Sequence, residues 1–577
     1  MSDHTSEAPR PADAPEPPEP PGQAVTPEWP AQSKAPRPEP GDIVPEPPKV
    51  PLYAQQGGHQ QPADPWRQSS PQASTLSTLR PAAPASIGGA TLCCVIVTAI
   101  LSGLLLGDGL GLNALIVAVP ATLGAFFAAR TAGRRLRPWT AFWAVGGLAL
   151  LAVPALRDAG WPVFLAIVSS VALGSLALHG SRSWLGVFLA SLGLFSAIAD
   201  GLAWGVRGVR ARMKGSRGRL GAVLRSVAVA VVLLIVFGAL FASADAAFAD
   251  VLGSLMPDVS VSGSPWRFLL FLTGLVGALA AAYAAAAPVR WDGITVRRGE
   301  PRGRLEWALP LVVLNLLFAV FIAVQLTVLL GGYDKVMAET DLSYSAYARQ
   351  GFWQLLWATL LTLLVIALAL RWAPRGRGGD RTLVRTVLGV LCLLTLTVVA
   401  SALRRMDLYV DAYGLTRLRI SVAAVELWLG VVLVLIMAAG VFGARLLPRA
   451  VAASAAVGVL AFGLASPDGL IAEQNVQRYR DDHSIDIDYL RGLSADAVPA
   501  LDTLPEPLRS CALRDIERSL RSDDVPWYAT SWGESRARDI LRKRSPQDAA
   551  RSCVSSSRTG VGDSDRDGDQ SDPYDPY

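Results

Sequence analysis

The sequence predicts an all-α fold, a polytopic transmembrane helix bundle of about twelve spans with disordered tails at its N- and C-termini. Three observations carry this. The 577 residues are 51% hydrophobic and only 18% charged, against about 25% charged in a soluble domain. The mean hydropathy is +0.35. The apolar residues gather between 86 and 466 into runs of about 20, the length that crosses the hydrocarbon core of a bilayer. The runs are continuous rather than alternating, which excludes a closed β-barrel.

Residues 1–85 come first. Roughly half of the chain's 40 prolines lie here, in strings such as Pro15-Glu16-Pro17-Pro18-Glu19-Pro20-Pro21. Such a composition cannot bury a core, so a disordered, partly polyproline II tail is expected. It lacks a basic segment followed by an apolar one, the pattern of a secretory signal. A cytoplasmic tail follows from that. A tail rich in prolines also suits docking to a protein partner.

The transmembrane domain, 86–466, reads as runs near 86–107, 109–129, 138–156, 160–178, 183–206, 221–243, 266–288, 305–330, 351–371, 382–403, 416–442 and 448–466. Gly and Pro inside them are compatible with membrane helices. Basic loops at Arg134–Arg137, Arg207–Arg219, Arg290–Arg304 and Arg371–Arg385 belong on the cytoplasmic side. The acidic stretches Ala242–Pro265 and Gly331–Gln350 belong outside. Five runs precede the basic stretch 207–219, whereas a cytoplasmic N-terminus needs an even number. One early run is therefore expected to lie in the interface or to re-enter. The fifth, with Asp200 near its end, is the candidate. A second discord is the basic segment 404–419, which falls on the outer side.

Residues 467–553 are polar enough for a small helical extracytoplasmic segment, with helices expected near 470–479, 485–501, 508–522 and 532–544. Cys511 and Cys553 lie in it, and two cysteines alone there suggest a disulfide if it is outside the cell and free thiols if it is inside. Cys93, Cys94 and Cys392 lie in apolar runs as packing residues. Residues 554–577 are expected to be a disordered acidic tail. Its string Asp563-Ser564-Asp565-Arg566-Asp567-Gly568 begins like a calcium loop, but Tyr574 stands where a bidentate Glu is needed, so it reads as a solvated tail.

One constellation suggests chemistry. Arg404, Arg405 and Asp407 precede Tyr413, Arg417 and Arg419, and Glu426 follows inside an apolar run. A charge that deep costs about 2.5–3.5 kcal/mol on insertion scales, so it is usually paired or functional. Arg419 and Glu426 lie seven apart, on one helix face. They read either as an ion-pair clasp between helices or as a site for an anionic headgroup or a coupled proton. Arginine suits phosphate because its planar fork donates two parallel hydrogen bonds. Membrane lipid is the partner this implies. No catalytic residue, cofactor or metal site is expected. His4, His59, His179 and His483 are scattered, and no phosphate loop, dinucleotide fingerprint or nucleophile elbow occurs. The net charge of +5 forms no basic stripe, so no nucleic acid is expected. The oligomeric state is not written in the chain.

Four strings carry a family resemblance. They are Tyr347-Ala348-Arg349-Gln350-Gly351-Phe352-Trp353, Tyr413-Gly414-Leu415-Thr416-Arg417-Leu418-Arg419, Asn475-Val476-Gln477-Arg478-Tyr479, and Tyr489-Leu490 with Leu493-Ser494-Ala495-Asp496-Ala497-Val498-Pro499. In order and spacing the chain resembles a family of uncharacterised multi-pass membrane proteins common in actinobacteria, a domain of unknown function. The resemblance covers roughly 331–544, more weakly the earlier helices. It implies an integral protein of the plasma membrane without an established activity. Two function classes follow: transport or lipid handling in the cell envelope, or a non-transporting scaffold or sensor that binds partners through its tails.

Overall fold

In hydrocarbon an isolated apolar segment satisfies its backbone polar groups only as a helix, and the computed structural model has that form. It describes residues 80–546 except 82, 85, 136, most of 216–263, 295–298, 332–343, 375–377 and 522–524. For 212–215, 264, 327–331 and 344–351 it describes the backbone alone. The expected tails, most of the run at 221–243 and the calcium-like string lie outside the described residues.

Among the described residues every regular element is helical. The membrane part comprises α1 (Gly89–Leu105), α2 (Asn113–Thr131), α3 (Pro138–Leu150), α4 (Val153–Leu156), α5 (Gly160–His179), α6 (Trp184–Ser191), α7 (Gly193–Ser196), α8 (Ile198–Gly215), α9 (Ser264–Ala286), α10 (Arg304–Gly331), α11 (Tyr344–Trp372), α12 (Gly378–Tyr413), α13 (Arg417–Phe442) and α14 (Leu447–Leu464). Among the described residues ten spans are long and apolar enough to cross a membrane, α3 and α4 together making one. The expectation of about twelve differs at two places. Most of the run at 221–243 lies outside the described residues, and the run at 183–206 is broken into α6, α7 and α8.

The break has its cause in a neighbouring helix. In a continuous helix the Leu194 amide bonds to the Ala190 carbonyl. Here the buried Ser175 hydroxyl of α5 stands between them, accepting from Leu194 N at 2.9 Å and donating to Ala190 O. A side chain inserted into the ladder is a recognised cause of helix interruption. Beyond it, α8 packs along α9, with Gly201 and Gly205 against Ala280 and Leu279. Trp204 Nε1 donates to Pro84 O at 2.8 Å, and Arg80 pairs with Asp200.

The spans pack in three groups. α1, α2, α8 and α9 share a core of small residues, including Ala128, Ala278, Ala280 and Ala282, which let backbones approach closely. α3, α5 and α14 meet around Trp143, Leu150 and Leu176. α10 to α13 enclose Trp307, Ile366, Leu391 and Leu433. Asn315 of α10 donates to Val387 O of α12 at 3.1 Å, a polar link between spans. α12 has 36 residues, about 54 Å at 1.5 Å per residue. A hydrocarbon core is about 30 Å thick, so the end carrying Arg404 to Tyr413 projects past it.

The remaining helices are α15 (Pro467–Asp482), α16 (Ile487–Leu490), α17 (Val498–Leu501), α18 (Leu508–Arg521) and α19 (Trp532–Lys543). They have a core of their own, with Ile471, Leu490, Val498, Leu501, Leu513 and Ile516. The helix expected over 485–501 is two short helices instead. Between them the Ser494 amide leaves helical pairing to bond Asp468 at 2.9 Å. Arg509 is fully buried, and its charge is met by Asp502 and Glu506.

This C-terminal segment covers one end of the bundle. The Tyr528 hydroxyl donates to Asp108 at 2.9 Å, and the Asn113 amide donates to Tyr528 O at 2.9 Å. Asp108 also pairs with Arg267 at 2.7 Å. The opposite end holds the arginine-rich loops. There Arg134 donates to Ala285 O, Asp292 accepts from the amides of Arg182 and Ser183 at 2.9 Å, and Arg449 donates to Ser181 O at 2.9 Å.

Candidate functional site

The turn between α12 and α13 organises the site. α12 ends at Gly414, whose φ of +77° favours glycine. A Cβ there would also overlap Asn475 Oδ1. Thr416 caps α13, its extended backbone setting the hydroxyl to accept from Arg419 N at 3.4 Å. Arg417 thus opens α13 and points at α15. Its Nε and Nη2 meet Asp468 Oδ1 and Oδ2 at 2.9 and 2.6 Å, the two-point geometry of strong guanidinium–carboxylate pairs. Nη2 also donates to Gly492 O at 3.1 Å, and the Arg417 amide donates to Tyr489 Oη at 2.7 Å.

Asp468 is wholly buried. Burial alone would raise its pKa. The Arg417 guanidinium, the Ser494 amide and the Trp161 indole outweigh that and hold it below the ordinary carboxylate value. Beside it, Asn475 Nδ2 donates to Leu415 O at 2.8 Å, and Arg478 donates to Ala412 O at 2.6 Å. A second clamp joins the loop before α5 to the segment before α17. Ala495 N donates to Asp158 Oδ2 at 3.0 Å, and Asp158 N returns a bond to Asp496 Oδ2 at 3.0 Å. Burial pushes the Asp496 carboxyl above its ordinary range, despite the amides of Asp158 and Ala159.

Next to the first clamp lies a cavity of about 220 Å³, lined by Phe352 and Trp353 of α11, Met406 and Tyr409 of α12, and Thr416, Leu418, Arg419 and Val422 at the start of α13. Arg419 does not reach Glu426. Its Nη1 donates to Tyr413 O at 3.1 Å and to Gly414 O, and its guanidinium lies 4.3 Å over the Tyr409 ring. Its Nε and Nη2 have no partner among the described residues.

Glu426 lies seven residues further along α13, fully buried. Its Oε1 is 3.1 Å from Thr359 Oγ1, which also donates to Leu355 O at 3.1 Å. Its Oε2 has no partner among the described residues. Leu355, Ala402 and Val398 form the apolar layer of this region.

The model of the family described as domain of unknown function DUF4153 matches residues 144–504. The chain belongs to this family. No match was found among curated proteins or among solved structures. The DUF4153 region starts within α3, earlier than the resemblance read from the four strings, and ends just past α17. It holds both clamps, the cavity and Glu426. α1, α2, α18 and α19 fall outside it.

The site residues expected from sequence therefore separate. Arg417 belongs to the clamp, Arg419 to the cavity and Glu426 to the layer beneath. Tyr413 stacks behind Arg419, its ring 5.9 Å from that guanidinium. Arg404 pairs with Asp407 at 3.1 Å on the exposed end of α12, and Arg405 is half-buried on the same helix. Asp468, Asp158 and Thr359 were not singled out by sequence. Their partners are 51, 337 and 67 residues away, and no local pattern signals such pairing. Cys511 is buried and disulfide-bonded, Cys93, Cys94 and Cys392 are free, and Cys553 lies outside the described residues.

Proposed function

We propose that this polytopic protein sits in the plasma membrane and serves transport or lipid handling in the cell envelope. The observation that carries the reading is the cavity beside Arg419, placed where three spans open toward the C-terminal segment, above the buried Glu426. Arg419 meets the carbonyls at the end of α12 through Nη1 alone, which leaves its Nε–Nη2 edge without a partner among the described residues, beside an aromatic-lined opening.

In this reading the N-terminus is cytoplasmic and the C-terminal segment extracytoplasmic. The support is the parity of the bundle. With the run at 183–206 broken, the basic loops near 134, 290 and 371 fall on the end opposite the C-terminal segment, as the positive-inside bias asks. The outer arginines that broke this rule are engaged by Asp468, Asp407 and backbone carbonyls. A disulfide between Cys511 and Cys553 suits an oxidising exterior. Intact cells treated with a membrane-impermeant thiol reagent should label these cysteines only after reduction. Labelling only after cell opening would reverse the orientation.

The function itself is tested by filling the cavity. Strains carrying wild type or Val422→Phe at equal abundance should differ in envelope lipids or in exported metabolites. Identical profiles would favour the second reading, a scaffold or sensor with protein partners on the Pro-rich tail. One observation supports that alternative: Arg417, Asn475, Arg478 and Asp496 are all engaged in holding the C-terminal segment.

A further inference from the structure

We propose that the cavity takes the headgroup of an amphiphile bearing a terminal phosphate with net negative charge, with the anion on Arg419 and the apolar chain leaving sideways past Leu418 and Trp353. The proposal deepens the reading above by naming the ligand class of the same cavity.

The charge argument comes first. Arg419 and the Tyr409 phenol are the ionisable groups in the lining, and no carboxylate lines it among the described residues. Asp407 and Asp411, which flank Tyr409 on α12, are both exposed, and Asp407 is engaged by Arg404. The cavity therefore selects for anions. Arg419 is also oriented in advance. Two backbone carbonyls hold its Nη1, and the Tyr409 ring supports one face of the plane. The Nε–Nη2 edge is left over, the edge that bonds two oxygens of a phosphate or carboxylate in parallel. Because two groups already fix the guanidinium, binding loses little further side-chain entropy.

Size and position decide between a soluble anion and a lipid. A cavity of about 220 Å³ is below the range of roughly 300–1,000 Å³ that encloses a drug-sized ligand. It holds a headgroup, and a chain must lie outside. In sequence the apolar run of α11 begins near residue 351, and Arg417 begins the span Arg417–Phe442. The cavity is therefore level with the membrane surface. Two of its apolar walls face outward, with Trp353 47% and Leu418 63% exposed. In a bilayer that exposure is toward lipid, and tryptophan at this depth suits the headgroup level. An opening with a cationic inner wall and an apolar lip matches an amphiphile better than a free ion.

The test uses the full-length chain in detergent, titrated with phosphatidic acid, phosphatidylcholine or sodium phosphate and read by native mass spectrometry. Phosphatidic acid should be retained, and phosphatidylcholine much less. Arg419→Ala should weaken retention by about tenfold or more, the scale of one lost charge-assisted contact. Arg419 also holds the Tyr413 and Gly414 carbonyls, so Val422→Phe gives an independent arm that fills the cavity and spares those bonds. Full retention by Val422→Phe would overturn the proposal. So would sodium phosphate displacing the lipid at equal concentration, which would indicate a soluble-anion site. The two readings fail separately. If lipid binds but the Val422→Phe strain has an unchanged envelope, transport or lipid handling fails and the ligand class stands. If no lipid binds yet that strain is altered, the ligand class fails and transport stands.

Discussion

Arg417 and Asp468 form a two-point ion pair, Nε to Oδ1 at 2.9 Å and Nη2 to Oδ2 at 2.6 Å, between the first turns of two helices. Asp468 suits its place, since a helix N-terminus favours an anion. Arg417 does not, since the same field at the start of α13 opposes a cation. The pair resolves that conflict and ties the C-terminal segment to the bundle. Asp468→Asn should therefore loosen the segment. A fully buried pair loses about 3–5 kcal/mol when one partner is removed. Arg417 is 40% exposed and can be rehydrated, so about 2 kcal/mol is the expected loss. Limited proteolysis should show new cleavage after residue 466 and a lower melting temperature, while membrane insertion is kept. Unchanged protection would mean that the apolar contacts alone hold the segment.

Acid should act on this docking through Asp468. Its pKa is depressed in the folded state. The folded state therefore binds fewer protons than the unfolded one in the window between the two values. The stability this supplies is present above the ordinary carboxylate value and is lost as pH falls through the depressed one. Asp496 works the other way, because its folded pKa is raised. Its burial costs stability at neutral pH, and that cost is relieved as pH falls through the raised value. Asp496→Asn keeps an oxygen for the amides of Asp158 and Ala159 and removes the buried charge. It should melt no lower than wild type at neutral pH, whereas Asp468→Asn melts lower and loses its sensitivity to acid. Melting curves across the acidic range compare all three proteins, and equal losses in both variants would contradict the assignment.

The spans, and the charges that gather at the α12–α13 turn, were legible in the sequence because each rests on local properties. Run length identifies a membrane helix, and Arg417, Arg419 and Glu426 stand out by charge within apolar surroundings. The division of labour among them was not legible. Seven residues put Arg419 and Glu426 on one face, but the Tyr413 and Gly414 carbonyls are closer to Arg419 than a carboxylate two turns away. The four strings were visible as strings. That two of them clasp each other depends on Asn475 meeting Leu415 across 60 residues, which no spacing rule contains. Loop parity marked 183–206 as an interfacial or re-entrant run, but nothing in the sequence signalled that it breaks into α6, α7 and α8. The cause of the break is a serine on another helix, a tertiary effect.

Ser175 gives a test of that cause. Ser175→Ala removes the hydroxyl that bridges the Ala190 carbonyl and the Leu194 amide. Either the Leu194 amide is left unpaired in a buried setting, costing about 1–3 kcal/mol, while the Ala190 carbonyl keeps only the Leu192 amide, or the ladder closes and α6 and α7 join. The expected outcome is a lower melting temperature, with altered solvent access in the region now packed against His179, where a Cβ on Gly193 would lie 2.6 Å from the ring. Hydrogen exchange at 190–197 measures it directly. Wild-type exchange and melting together would show that the break is intrinsic to the run.

Glu426 separates a clasp from a buried site that holds no ion pair. A clasp predicts that removing the carboxylate strands an arginine in the membrane and lowers abundance. The structure places no cation against Glu426 among the described residues. Its contact is the Thr359 hydroxyl at 3.1 Å. That hydroxyl has one proton and is also 3.1 Å from Leu355 O. Glu426→Gln can replace the carboxyl contact with an amide one, so insertion and abundance should stay at wild-type levels. Glu426→Leu removes the polar partner but leaves Thr359 its bond to Leu355 O, so it too should insert, with a loss of about 1 kcal/mol or less. Glu426→Lys adds a cation with no anion to meet it, at about 2.5–3.5 kcal/mol on insertion scales, and should fall sharply in abundance. Quantifying the three variants in isolated membranes decides the matter. A sharp fall for Glu426→Gln would show that the charge itself is needed, and a cationic partner would then have to be sought outside the described residues.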